Sequence, residues 1–148
     1  MPLFVMDNPA WRALSTAAQA PYPWLVLEFK GKKFNNNGQI RLSVRQATLK
    51  MGISKDTVSW AFRDLQAKGF LLVVEGASLG VSGMGKKTEY EITKITTPSN
   101  LLKAGDDFKN WSKGNDFDVF EHPQKSLRQK SNPIINIELP RTNINEVF

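Results

Sequence analysis

Two serines and one glycine, set close together in the middle of the chain, restrict its fold more than any other feature. The Ser43 hydroxyl is placed to accept from the free N–H groups of a helix running through Val44, Ala47, Thr48 and Met51. Gly52 can end that helix in a left-handed turn. Only Ile53 then intervenes before Ser54, a second N-cap. After it, Val58, Ala61, Phe62 and Leu65 recur at spacings of three and four. The pattern predicts a helix from Lys55 to about Lys68, stopped by Gly69. The result is helix, tight turn, helix.

The flanks are legible in the same way. Asn8 and Pro9 predict a helix start that puts Trp11 and Leu14 on one face. Ser15 caps a second short helix, which Pro21 and Pro23 are expected to interrupt or kink. Trp24, Leu25, Leu27 and Phe29 read as the buried part of a helix ending before Gly31. Residues 35–38, Asn-Asn-Asn-Gly, form a turn, and residues 39–42 a short strand. Beyond Gly69, residues 70–74 are strand-like and residues 88–93 alternate as a strand should. The glycine-rich stretch between them ends in Lys86 and Lys87. Its Gly80–Gly85 run lacks the spacing of a phosphate-binding loop. The fold class is α+β, mainly helical.

The residues Gly52-Ile53-Ser54-Lys55-Asp56-Thr57-Val58, then Ala61-Phe62-Arg63-Asp64-Leu65, then Lys68-Gly69-Phe70-Leu71, resemble the turn, recognition helix and wing entry of bacterial winged helix-turn-helix regulators of the GntR type. A wider run is similar to small bacterial and phage helix-turn-helix domain-containing proteins: Trp11-Arg12-Ala13-Leu14-Ser15, Tyr22-Pro23-Trp24-Leu25, the Asn35–Gly38 turn, and Leu42-Ser43-Val44-Arg45-Gln46-Ala47. The resemblance covers about residues 9–95. It implies a winged helix with a two-stranded wing, and DNA as the ligand. Two positions depart from the pattern. Thr48 stands where a small alanine usually packs, and Trp60 where a basic residue is common.

Charge agrees with that implication. The chain carries a net charge of +6. Residues 1–95 hold 13 Lys and Arg against 7 Asp and Glu, whereas residues 96–148 hold 7 of each. The excess therefore belongs to residues 1–95, expected to be the DNA-binding domain, with residues 96–148 as an extended or partly ordered tail. The chain has no cysteine and a single histidine, His122. Disulfides, thiolate zinc sites and Cys–His nucleophilic pairs are thereby excluded. No apolar run approaches the ~20 residues that span a bilayer. The expectation is a cytoplasmic protein with no membrane, no metal, no cofactor and no catalytic constellation.

Groove geometry assigns roles. An α-helix fits the major groove of B-DNA. With Val58, Phe62 and Leu65 facing inward, Asp56, Ser59, Trp60 and Arg63 face the opposite way. Lys55, Thr57 and Ser54 flank the helix start, where phosphate is favoured. Arg63 can read guanine or grip the backbone, Asp56 can meet a cytosine amino group, and Trp60 a thymine methyl or a partner protein. Arg41, Ser43 and Arg45 lie at the start of the preceding helix, suited to backbone contacts, and Lys86 and Lys87 in the wing. The bland counterparts are a solvated face for the cations and partial burial for Trp60.

In the tail, residues 106–111 suggest one helical turn that puts Phe108 and Trp111 on one side, followed by Phe117 and Phe120. Four aromatics in a polar segment need a surface. Packing on the domain, a homodimer contact and docking of a partner protein stay open, the first two favoured. Asp106, Asp107, Asp116 and Asp118 read as a solvated loop, His122 as a surface residue, and residues 134–139 as an edge strand or a disordered end. The functional expectation is a sequence-specific double-stranded DNA-binding protein, a transcriptional regulator. The alternatives are a phage or plasmid replication initiator, and a protein-interaction module acting through the aromatic tail.

Overall fold

Helices in this chain start where a side chain can cap them. The structure, a computed structural model, describes residues 1–79 and 85–121. After α1 (Leu3–Met6), which the sequence did not suggest, Asn8 Oδ1 accepts from the Ala10 N–H at 2.9 Å and opens α2 (Pro9–Ala13). Ser15 Oγ accepts from Ala18 at 3.1 Å and opens α3 (Thr16–Gln19). Pro21 interrupts the helical run as expected, with the break at Ala20. It occupies the first position of α4 (Pro21–Leu27), where its missing N–H costs nothing. Leu25 is buried on α4, but Leu27, expected inside, is 72% exposed. A short 3-10 turn, Lys32–Phe34, follows.

The central pair matches the sequence pattern closely. Ser43 and Gln46 form a reciprocal capping box at the head of α5 (Val44–Met51). Gly52 ends α5 at φ 68°, a backbone state that costs other residues strain. Ser54 caps α6 (Lys55–Ala67). Val58, Ala61, Phe62 and Leu65 all lie in the core, and α6 packs on α3, α4, α5 and the first strand. The Thr48 hydroxyl on α5 is buried without a hydrogen-bond partner among the described residues.

Strand β1 (Leu71–Glu75) runs antiparallel to β4 (Glu89–Ile92), with Leu71 opposite Ile92 and Val73 opposite Tyr90. A register shift precedes the Glu75–Glu89 pair. Beyond it β2 (Ser78–Leu79) pairs with β3 (Gly85–Lys86). The segment expected as a short strand contributes one bridge: Ile40 exchanges two backbone hydrogen bonds with Tyr90, at 3.2 and 2.8 Å. The glycines at 80–84 and everything from His122 onward, including the 134–139 segment, lie outside the described residues. The fold is thus α+β, a helical layer with a small antiparallel ribbon.

One aromatic cluster joins the pieces. Trp11, Tyr22 and Phe70 meet edge to face, with ring centroids 5.4 to 5.7 Å apart. Phe108, from a 3-10 turn at Asp107–Asn110, stacks on Phe70 at 4.8 Å and is fully buried. Residues 96–121 therefore do not leave the domain. The Asp106 N–H donates to the Thr93 carbonyl at 2.7 Å, and the Phe117 N–H to the Ala67 carbonyl at 2.9 Å. Gly69, at φ 81°, has no room for a Cβ: the Phe117 ring would lie 2.6 Å from it.

Candidate nucleic-acid interface

The outward side of α6 combines cations with one large ring. Lys55 and Asp56 are exposed in its first turn. Trp60, one turn on, is 69% exposed. The Arg63 guanidinium lies 5.5 Å from the centroid of the Trp60 ring, in cation–π range. Partial burial was one expectation for Trp60, and the ring is mostly exposed, on the side of α6 away from Val58 and Phe62.

Several expected contacts are already engaged within the chain. Ser54 Oγ accepts from the Thr57 N–H at 3.2 Å and shares a 2.7 Å hydroxyl contact with Thr57 Oγ1. Ser59 Oγ donates to the Lys55 carbonyl at 3.0 Å. The Ser43 hydroxyl serves the α5 cap. These hydroxyls hold helix ends or backbone within the chain. Spacing alone could not separate a capping serine from a phosphate-binding one.

The cations divide similarly. Arg45 is exposed on the first turn of α5 and Lys87 just past β3. Arg41 sits two residues before the α5 cap rather than on the helix. It forms an ion pair with Glu89 of β4, its Nε 2.9 Å from Glu89 Oε1. Lys86 pairs with Glu75 at 2.6 Å across the ribbon, and this hydrogen bond and attraction hold its ammonium above the usual lysine range. Arg63 pairs with Glu121 at 3.0 Å. Surface pairs of this kind are worth about 0–1 kcal/mol, so a phosphate can exchange for the carboxylate.

Next to Arg41, an open cavity of about 310 Å³ is lined by Glu28, Lys30, Asn36, Gln39 and Arg41. It carries both signs of charge.

The four tail aromatics occupy different environments. Phe108, a candidate either for partner binding or for packing on the domain, belongs to the core. Trp111 packs against that core, with the Lys68 ammonium 5.3 Å from its ring centroid and its Nε1 donating to Asp116 at 2.8 Å. Phe117 lies over Gly69 and Phe120 against Gly76. The acids read as a solvated loop are partly paired: Asp106 bonds Lys109 at 2.7 Å, and Asp116 lies 3.6 Å from Lys68. What the sequence did not reveal is that residues 116–121 run along the C-terminal half of α6. The only signal was the spacing of Phe117 and Phe120, which does not name the surface they cover.

Among the described residues, no helix is long and apolar enough to cross a membrane. Protein-family models, curated proteins and solved structures offer no match to this chain.

Proposed function

We propose that this chain is a winged helix-turn-helix protein that binds double-stranded DNA in a sequence-dependent way and acts as a transcriptional regulator. The observation that carries the reading is the outward side of α6. Lys55, Trp60 and Arg63 project from a helix joined to α5 by a short turn, with an antiparallel ribbon that carries Lys86, and Lys87 just past it, in the same domain. A helix so presented fits a major groove, and the cations supply attraction to phosphate. In this reading α6 enters the groove, Lys55 and Arg45 hold phosphates, Trp60 and Arg63 reach base edges, and Lys87 with Lys86 touches the flanking backbone.

The test is selection of bound duplexes from a random pool with the purified chain, followed by anisotropy titration of the selected duplex and its single-substitution variants. Each mismatched base pair should cost about 1–3 kcal/mol of binding free energy. Replacing Lys55 by alanine should weaken all sequences alike and flatten the salt dependence by about one unit of slope. Equal affinity for every duplex would remove the sequence-specific reading.

A further inference from the structure

The last described residues of the chain lie against the helix proposed to enter DNA. Glu121 Oε1 is 3.0 Å from Arg63 Nη2, and Asp116 Oδ1 is 3.6 Å from Lys68 Nζ. The segment between them is held by more than charge. The Phe117 N–H donates to the Ala67 carbonyl, and the Phe120 N–H donates to Gln66 Oε1 at 2.9 Å. Phe117 fills the space over Gly69, Phe120 packs against Gly76, and the segment follows Phe108 and Trp111, which pack in or against the core. An acidic stretch is thus fixed beside Arg63 and Lys68, at the C-terminal half of α6, at a high effective concentration.

Glu121 accepts from Arg63 as a phosphate oxygen would, by a charge-assisted hydrogen bond. We propose that residues 116–121 form an acidic strap that competes with DNA for Arg63, so that binding through α6 requires the Arg63–Glu121 pair to open. This inference rests on the DNA-binding reading and adds its regulation. Lys68 contributes less to the competition, because it is also paired with Asp64 at 3.2 Å within α6. The strap's own anchors, the hydrogen bonds from the Phe117 and Phe120 N–H groups and the packing of their part-exposed rings on Gly69 and Gly76, do not depend on the ion pair. Opening the pair therefore frees Arg63 while the strap backbone stays docked.

The experiment is a mutant cycle on the full chain, with DNA affinity read by anisotropy on the selected duplex. Glu121→Gln should bind about two- to five-fold tighter than the parent, the range an exposed ion pair supports. Asp118→Asn removes an equal charge from the same segment, and Asp118 is exposed. It should raise affinity less than Glu121→Gln does. In an Arg63→Gln background, Glu121→Gln should give no gain beyond that of Asp118→Asn. Thermal unfolding of each variant checks that folding is unchanged. Equal gains from Glu121→Gln and Asp118→Asn, or a gain that survives loss of Arg63, would overturn the strap and leave only a net-charge effect. Binding of no duplex by any variant would overturn the DNA-binding reading and the strap with it.

Discussion

At the scale of single residues, the most consequential polar group is one the sequence presents as an ordinary turn residue. Asn37 is 2% exposed. Its amide donates to the carbonyls of Ile92 and Ile95 at 3.0 and 2.8 Å, and its Oδ1 accepts from the Ile92 N–H at 2.7 Å. It stitches the turn to the end of β4. Replacing it by alanine leaves buried backbone groups unpaired, at about 1–3 kcal/mol for each such group. Urea unfolding of Asn37→Ala should therefore show a loss of at least about 2 kcal/mol, whereas Asn36→Ala, at a half-buried neighbour, should lose less. The two tyrosines of the chain give a pH signature. Burial pushes the Tyr90 hydroxyl up to about 12 and raises that of Tyr22 as well. The unfolded chain gives up these protons near its ordinary value of about 10. Between those limits the unfolded state binds fewer protons, so the stability from neutral buried tyrosines is complete below pH about 10 and is lost as pH rises through 12. Absorbance titration should show little phenolate in the native protein at pH 11, then a rise that coincides with loss of helical circular dichroism.

At the scale of elements, legibility follows locality. The caps at Asn8, Ser15, Ser43 and Ser54 each act within three residues, so sequence order reveals them. The inner face of α6 is read from period alone for the same reason. Leu27 fails this test because its phase on a seven-residue helix is set by how α4 meets its neighbours. Arg63 and Arg41 fail it differently: their carboxylate partners lie 58 and 48 residues away. The α6 cap offers a way to divide structure from proposed function. Ser54→Ala should cost about 1 kcal/mol of stability by removing the acceptor for the Thr57 N–H. Ser54→Asp keeps an acceptor there and adds a charge the helix dipole favours, so stability should hold. The same carboxylate would face a phosphate in the proposed complex. Affinity for DNA should then fall in Ser54→Asp, with thermal unfolding unchanged. A variant that keeps both stability and DNA affinity would show that no phosphate approaches the start of α6.

At the scale of the whole molecule, charge and packing divide the chain at different places. The positive excess ends near residue 95, and composition alone places the boundary there. The core does not stop there, because Phe108 stacks on Phe70 among Trp11 and Tyr22. A single aromatic is invisible to periodicity, since it has no neighbours in sequence with which to form a pattern. Truncating a buried phenylalanine to alanine costs about 3–5 kcal/mol, a large share of the roughly 5–15 kcal/mol that stabilises a domain. Phe108→Ala should therefore unfold at much lower urea than the parent. A fragment of residues 1–95 loses the same ring, the Phe117 cover over Gly69, and the hydrogen bonds from Asp106 and Phe117. It should be less stable than Phe108→Ala and expose the face of Phe70, which binding of a hydrophobic dye would register. If the fragment instead unfolds at the parent's urea midpoint, residues 96–121 are an appendage, and the boundary drawn from charge is also the boundary of the fold.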